Sequence, residues 1–262
     1  MSIARIMART FAREGASAVV LAGSWARGDA HRWSDLDLWV VGRREGTEVL
    51  FRGGLQVSVH RTTVRKERSR FDDPKNAWGA VPGWREAVLL HDPSGVAGRL
   101  KGQAERFRPE RLRRSSSRYL GRELTGWAEE VQKLTRSMAE GDHETAAVQR
   151  NLLGNAMAAL VAVHLEMPYG TENALWERVG ARMSPGWRRA QRRALGVEAT
   201  SFDQSCEAAL ELYALTAGGL WAHLIPLERR LVKSTCRACG HPLPSFVPRT
   251  RARLAEPARD LK

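Results

Sequence analysis

Two short motifs within the first forty residues combine residue types that suit phosphate and metal chemistry. Gly23-Ser24 follows an apolar run at residues 17–22, and Asp35 and Asp37 come after ten further residues. A glycine lets the backbone come close to an anion, and a serine hydroxyl with the free N–H groups of a helix start can hold phosphate oxygens. Arg27 follows one turn later, where a phosphate contact and a solvent-exposed side chain are both compatible with its position. The first motif therefore indicates phosphate binding.

The second motif, Asp35-Leu36-Asp37, has the spacing of a carboxylate pair on a strand. Successive side chains of a strand alternate between faces, so both carboxylates point to the same side. Two neighbouring carboxylates repel each other unless a cation lies between them. Mg²⁺ is typically held by one or two carboxylates together with substrate phosphates. The spacing therefore predicts a Mg²⁺ site at Asp35 and Asp37.

The elements that must position these motifs predict an α/β domain over residues 1–105. Residues 3–14 have the apolar spacing of a helix, and Gly53-Gly54 marks a turn before a strand of alternating apolar and polar residues. The predicted strands lie at 17–22, 36–41, 55–60 and 88–90. The first strand ends at Gly23, so it delivers the Gly-Ser motif to the start of a helix.

From about residue 106 the pattern becomes helical, which makes the expected fold class α+β. Long helices are predicted at 111–139 and 143–166, shorter ones at 171–182 and 184–195, and a last one from Ser201 to about 231. Ser201 and Gln204 have the spacing of a capping box, and Pro226 is expected to kink or end that helix. These elements predict a helical bundle over 106–232, followed by a flexible basic tail at 233–262.

Composition excludes several classes of protein. The chain has 262 residues, of which 43% are hydrophobic and 27% charged, so it is neither a disordered chain nor a collagen-like fibre. Apolar runs such as 156–163 are too short to span a bilayer, and no secretory signal precedes residue 13. Three cysteines are too few for a disulfide framework. We therefore expect a soluble, cytoplasmic protein without a membrane partner.

The net charge of +13 is unevenly distributed. Residues 1–105 carry a net +5, residues 106–228 a net +1 and residues 229–262 a net +7. Of the 42 basic residues, 36 are arginines, a bias that a GC-rich coding sequence also produces. A nucleic-acid partner is compatible with this charge but is not favoured, because most of the excess lies in the tail.

The stretch from Gly23 to Val41, GSWARGDAHRWSDLDLWVV, resembles the nucleotidyltransferase superfamily that includes DNA polymerase β. It looks most like the small bacterial enzymes that modify antibiotics, such as aminoglycosides, or partner proteins. The resemblance implies a mixed sheet in the N-terminal domain, phosphates of ATP or another nucleoside triphosphate at Gly23 and Ser24, and Mg²⁺ at Asp35 and Asp37. The implied reaction transfers a nucleoside monophosphate, AMP in the leading interpretation, to a hydroxyl of a small aminoglycoside-like antibiotic.

The sequence departs from this family at the third carboxylate, which a neighbouring strand usually supplies. The polar face of the predicted strand 55–60 carries Gln56, Ser58 and His60, and Ser58 takes the place of the acid. Three explanations stay open: His60 is the base, the base comes from the helical domain or a second subunit, or the protein is a nucleotide-binding pseudoenzyme. The loose candidates for an alternative acid are Glu123, Glu129, Glu130, Asp142, Glu144, Asp72 and Asp73.

Several further assignments are left open by the sequence. A lincosamide, a protein side chain or RNA is an alternative acceptor, and both a monomer and a homodimer are compatible with the pattern. Cys236, Cys239 and His241 have the spacing of half a zinc site, but four ligands are needed to close one. Trp25 and Trp39 flank the predicted site, where either ring can stack on a base.

Overall fold

The computed structural model describes residues 2–243. One sheet contains the strands β1 (Ala18–Ala22), β2 (Leu36–Val41), β3 (Gly46–Arg52), β4 (Leu55–Thr62) and β5 (Val88–His91). Their order across the sheet is β3-β4-β2-β1-β5, with β2 and β4 parallel and the other neighbours antiparallel. The sheet is therefore mixed, and β2 lies at its centre.

The central pairing aligns the polar side chains of two strands. In the parallel register of β2 and β4, Asp37 lies beside Ser58 and Trp39 beside His60. Because side chains alternate along each strand, these four residues share one face of the sheet. The alternate residues, such as Leu38 and Val59, point to the opposite face.

Five helices accompany the strands, and they cover the two faces differently. They are α1 (Ser2–Arg13), α2 (Gly23–Arg27), α3 (Val64–Asp72), α4 (Ala77–Glu86) and α5 (Val96–Glu105). The apolar side of α1, including Met7 and Phe11, packs with Leu38 and Val59 in a small core. The polar face of the sheet is therefore left for α3, α4 and the helical half of the chain.

The rest of the described chain is helical. Seven α-helices follow: α6 (Arg113–Gly126), α7 (Ala128–Glu140), α8 (His143–His164), α9 (Leu175–Gly180), α10 (Pro185–Ala194), α11 (Phe202–Leu220) and α12 (Pro226–Ala238). Three short 3-10 helices lie at Pro109–Leu112, Glu172–Ala174 and Trp221–His223. Buried residues of α8, such as Leu153 and Met157, belong to the same core as Tyr213 of α11. None of the helices among residues 2–243 is both long and apolar enough to cross a membrane.

The large core joins the sheet to the helical half. It extends from Val20 and Val41 in the sheet, through Trp78 and Trp84 in α4, to Tyr213. Within it, the buried Tyr213 hydroxyl donates to the Leu124 carbonyl at 3.1 Å. The helical half therefore packs on the N-terminal part through continuous apolar contact.

The α+β class and the mixed sheet are confirmed, and the four predicted strands correspond to β1, β2, β4 and β5. The predicted helix at 111–139 is in fact two helices, α6 and α7, separated at Trp127. Pro226 does not kink a helix but occupies the first position of α12, where a missing N–H costs nothing. The capping box at Ser201 and Gln204 is present.

Part of the predicted flexible tail is ordered helix. α12 extends to Ala238 and buries Val232, Thr235 and Cys236, so residues 233–238 belong to the folded region. Residues 244–262 of the predicted tail lie outside the described residues. The domain boundaries at 105 and 232 stay predictions.

Candidate active site

A cleft of about 620 Å³ lies at the end of β1 and β2, where the sheet meets the helical half. The Gly23-Ser24 turn, Asp35 and Asp37 line one side of it. Residues of α4 and the segment 170–173, which follows α8, line the other side. The structure therefore brings both sequence motifs into one cavity and adds a wall from the helical half.

Gly23 and Asp37 are in direct contact, which explains why a glycine occupies position 23. Ala22 of β1 pairs with Asp37 of β2, and the chain leaves β1 at Gly23 with a φ of +64°. A Cβ atom at this position would overlap the Asp37 carboxylate. The glycine thus provides both a left-handed backbone conformation and the space for the Asp37 carboxylate. Ser24 lies in the first turn of α2, on the same wall of the cleft.

Ser58 forms a hydrogen bond with Asp35, the other carboxylate of the pair. Its hydroxyl donates to Asp35 Oδ2 at 2.5 Å, and it lies beside Asp37 in the strand register. A hydroxyl at the place of a third acid donates a hydrogen bond instead of adding a third negative charge. Ser58 therefore orients Asp35.

The electrostatics of the carboxylate pair fit a divalent cation. Burial and the neighbouring Asp35 charge raise the pKa of Asp37 to about 6, and Arg27 offsets part of this shift. Two close carboxylates that disfavour joint ionisation are the donor set that a hard cation stabilises. Within residues 2–243 no cluster of three His, Cys, Asp or Glu side chains is present, so substrate oxygens or water would complete the coordination of Mg²⁺.

Arg27 lies at the junction between the two halves of the chain. Its Nε donates to Asp29 at 3.1 Å, and its Nη1 donates to the Gly170 carbonyl at 3.3 Å and lies 3.7 Å from Glu86. The guanidinium lines the cleft but is already shared among two carboxylates and a carbonyl. These contacts within the protein account for its position, and its role toward a phosphate stays a prediction.

His60 lies on the polar sheet face but is not among the residues that line the cleft. Its Nε2 is 3.7 Å from Glu67 Oε1, on α3. Glu67 is fully buried and accepts hydrogen bonds from Thr62 and from Trp84 Nε1, both at 2.7 Å. The structure therefore places His60 against a buried acid, away from the open side of the Asp pair.

Glu67 was not predicted from the sequence, although it carries a strongly shifted carboxyl group. Burial favours a higher pKa for Glu67, but His60, the Arg70 charge and the two hydrogen bonds outweigh burial and hold the pKa at about 2. A glutamate in the basic stretch 61–75 has no sequence signal for burial, so only the packing of α3 on the sheet reveals it.

The helical acids proposed from the sequence do not line the cleft. They are Glu123, Glu129, Glu130, Asp142 and Glu144, and Asp72 and Asp73 are outside it too. Asp142 caps α8, and Glu129 pairs with Lys133 at 2.7 Å.

Three other carboxylates occur in the cleft: Asp29, Glu86 and Glu172. Glu172, from the helical half, is the one that makes no ion pair within residues 2–243, and no motif in the sequence marks it.

Of the two tryptophans expected beside the site, Trp39 lines the cleft and Trp25 does not. Trp39 lines the cleft and packs against Trp84, with ring centroids 5.2 Å apart. Trp25 instead packs in the small core under α1. Trp33 also lines the cleft, and 78% of it is exposed. A stacking surface is therefore available at Trp33 and Trp39.

The cysteines with zinc-like spacing are buried in the helical half. Cys236 and Cys239 lie at the end of α12, and burial raises the pKa of Cys236 to about 12. His241 lies 3.2 Å from Glu207. A deprotonated thiolate is disfavoured in this environment, so these residues have the character of core side chains.

This chain is similar to known proteins in one family model and in fold. Residues 2–79 match the family model described as "Nucleotidyltransferase domain". No curated protein sequence matches the chain. Among solved structures, the fold is similar to that of a nucleotidyltransferase-like protein from Exiguobacterium sibiricum 255-15, with a TM-score of 0.51.

The alignment with that structure covers 91% of this chain and 76% of the other, at 17% sequence identity, so the likeness is one of fold. The family match adds the motif-bearing segment, which contains Gly23, Ser24, Asp35, Asp37 and Ser58. Together with the cleft geometry, these findings show a nucleotidyltransferase-type domain match over residues 2–79 and a similar fold over most of the chain.

Proposed function

We propose that the protein transfers a nucleoside monophosphate, AMP from ATP, to a hydroxyl of a small cationic acceptor of the aminoglycoside type. The observation that carries this proposal is the charge of the cleft. Five carboxylates line it, at positions 29, 35, 37, 86 and 172, together with the single arginine Arg27. Beyond the carboxylates that a metal ion would neutralise, Asp29 and Glu86 share the Arg27 charge, and Glu172 is left to attract an acceptor that bears amino groups.

The two sides of the cleft have separate roles in this proposal. Gly23 and Ser24 bind the triphosphate, with the backbone approach and the hydroxyl described above. Asp35 and Asp37 would hold Mg²⁺, which when bound neutralises charge on the triphosphate and the departing pyrophosphate. Ser58 keeps Asp35 oriented through its hydrogen bond. Glu172, on the opposite wall, faces the acceptor.

The reaction is an in-line displacement at the α-phosphorus. A bond forms between the acceptor oxygen and phosphorus, and the bond to the bridging oxygen breaks, so that pyrophosphate leaves with the electron pair. We assign Glu172 as the group that accepts the hydroxyl proton or holds a neighbouring amino group. Positioning by the cleft walls is expected to supply much of the rate enhancement.

The first experiment measures pyrophosphate release from ATP with a panel of aminoglycosides. Asp35→Asn and Asp37→Asn should each lower kcat by at least about 100-fold, because each removes half of the charge that binds the metal. EDTA should abolish turnover and added Mg²⁺ should restore it. Asp72→Asn is the control, since Asp72 is 60% exposed and outside the cleft. Equal rates in all variants would refute the catalytic assignment.

The second experiment tests the acceptor side. Glu172→Gln should raise the KM for the acceptor about tenfold or more and leave the Kd of ATP unchanged, because the residue belongs to the helical wall. Glu177→Gln, on the exposed surface of α9, is the matched control. A change in ATP affinity without a change in acceptor KM would place Glu172 on the nucleotide side instead.

A nucleotide-binding pseudoenzyme is the second candidate, favoured by Ser58 at the position of the third acid. In that case ATP binds in a manner that depends on Asp35 and Asp37, but no acceptor stimulates pyrophosphate release. Acceptor-stimulated pyrophosphate release by the wild type separates the two candidates. If the wild type is inactive, Ser58→Asp should create activity, because it restores the missing carboxylate in a protein that already binds the triphosphate.

A further inference from the structure

The helical half of the chain separates its charges into two regions. Residues 175–194 contain six arginines and one glutamate, a net charge of +5. The remainder of residues 106–228 has 10 basic and 14 acidic residues, a net of −4. A coding bias toward arginine raises the basic count everywhere and does not explain this separation within one domain.

The structure places these arginines together on the surface of α9, α10 and the turn between them. Five are exposed: Arg178, Arg182, Arg188, Arg189 and Arg192. We call these five residues the arginine surface. Within residues 2–243 none of them forms an ion pair, whereas the sixth arginine, Arg193, pairs with Glu198 at 2.8 Å. Exposed guanidinium groups without a carboxylate partner are available to an anionic ligand.

A depression of about 400 Å³ lies within this surface. Arg188, Arg189 and Arg192 line it together with Met183, Pro185 and Glu198, whose carboxylate is already paired with Arg193. Arg188 and Arg192 are one helical turn apart and therefore point in the same direction. Guanidinium groups bind phosphate through paired hydrogen bonds, so Arg188, Arg189 and Arg192 suit a ligand that carries several phosphates in sequence.

We propose that the arginine surface binds the phosphate backbone of single-stranded RNA. Five guanidinium groups, on two helices and the turn between them, exceed what one phosphate ion needs, which favours a polymer. The cleft is lined by five carboxylates and Arg27, so it does not offer a polyanion the cluster of exposed guanidinium groups that the arginine surface presents. This binding goes beyond nucleotidyl transfer to a small acceptor and does not depend on it.

The experiment measures binding of the full chain to a fluorescein-labelled 20-nucleotide RNA by anisotropy, between 50 and 300 mM NaCl. A triple variant, Arg188→Glu, Arg189→Glu and Arg192→Glu, should weaken binding at least about tenfold and reduce the salt slope, because each phosphate contact contributes about −0.7 to the slope. The matched control is Arg5→Glu, Arg9→Glu and Arg13→Glu, three exposed arginines on α1 that carry the same charge change.

Two further measurements keep the outcome interpretable. The triple variant Arg188→Lys, Arg189→Lys and Arg192→Lys retains the positive charge and should keep most of the RNA affinity. Circular dichroism checks the fold of every variant. Pyrophosphate release should be unaffected by the substitutions on the arginine surface, which separates this proposal from the catalytic one. Equal losses in the α10 and α1 triples, or binding to anionic lipid vesicles without binding to RNA, would overturn it.

Discussion

At the scale of single residues, Gly23 is constrained twice. Its φ of +64° disfavours a side chain, and a Cβ atom would overlap the Asp37 carboxylate. Gly28 makes a useful comparison, since it has a φ of +83° but open space around its Cα. The two glycines therefore share the conformational requirement and differ in the steric one.

Gly23→Ala should lower pyrophosphate release by at least about 100-fold, because Asp37 must move to admit the methyl group. Gly28→Ala should lower the free energy of unfolding by only about 1 kcal/mol, the usual effect of a side chain in the left-handed region, and leave turnover near the wild-type value. Urea unfolding and the pyrophosphate assay on both variants test this. Similar activities for the two variants would contradict the steric argument.

Glu67 is a residue whose importance only its surroundings reveal. Its pKa is lowered to about 2 against an ordinary value of 4.5. A group with a depressed pKa in the folded state stabilises the fold fully above pH 4.5, and this contribution is lost as the pH falls toward 2. Glu67→Gln keeps the shape and can still accept hydrogen bonds, but it carries no charge.

We expect the free energy of unfolding of the wild type, measured with urea, to fall by a few kcal/mol between pH 4.5 and 2. Glu67→Gln should be less stable than the wild type at pH 7, and its stability should depend much less on pH in this range. Glu105→Gln, an exposed glutamate at the end of α5, controls for general loss of charge. If the Glu67 variant loses stability in acid as steeply as the control does, other carboxylates cause the wild-type loss.

At the scale of elements, the parallel pairing of β2 with β4 creates the site. It sets Asp37 beside Ser58 and leaves Asp35 within hydrogen-bonding distance of the serine hydroxyl. The helical half contains a comparable inter-element link, in which His223 bonds His164 of α8 at 2.9 Å and Ser117 of α6 at 3.1 Å. Both contacts join segments far apart in sequence.

This histidine link predicts a second pH dependence. Burial and the neighbouring His164 lower the pKa of His223 to about 4, and burial lowers the pKa of His164. Both rings are neutral in the folded state, so their contribution to the stability of the fold is complete above about pH 6.5 and is lost as the pH falls toward 4. Thermal unfolding at pH 7 and 5 should show a smaller drop in Tm for His223→Gln than for the wild type. The exposed His31→Gln is the control, and an identical drop in both variants would contradict the link.

Several elements could be predicted and others could not, for physical reasons. β1 is a continuous apolar run, a pattern that predicts a buried strand, and it is buried along its whole length. β3 is a largely exposed edge strand with charges at Glu48 and Arg52, so its pattern resembles a loop. α4 contains Gly79, Pro82 and Gly83, which weaken any helical signal, and yet packing of Trp78 and Trp84 against the core stabilises it.

At the scale of the whole molecule, a small set of contacts attaches the helical wall of the cleft to the N-terminal part. The Tyr169 N–H donates to the Trp78 carbonyl at 2.9 Å, and Arg27 bridges to Gly170 and Glu86. Because Glu172 follows directly, these contacts determine how the helical wall faces the Asp pair.

Arg27→Ala should therefore lower the free energy of unfolding by about 1–3 kcal/mol, the usual effect of losing hydrogen bonds to a charged group. It should also raise the KM for the acceptor and speed hydrogen exchange at residues 167–173. Arg122→Ala is the control, since Arg122 is 76% exposed and forms only a surface ion pair with Glu123. A defect confined to ATP affinity, with unchanged exchange, would show that Arg27 acts on phosphate rather than on the junction.

The sequence by itself determined the local features: the turn at Gly23-Ser24, the same-face aspartates, the polar face with Ser58 and His60, and the change from α/β to helical character. These follow from residue type and short-range periodicity, which the chain carries without tertiary contacts. Only the tertiary structure decided that Glu172 lies opposite the Asp pair, that His60 faces the buried Glu67, and that Arg27 joins the two halves. Each of these depends on contacts between segments distant in the chain, and no local pattern encodes such contacts.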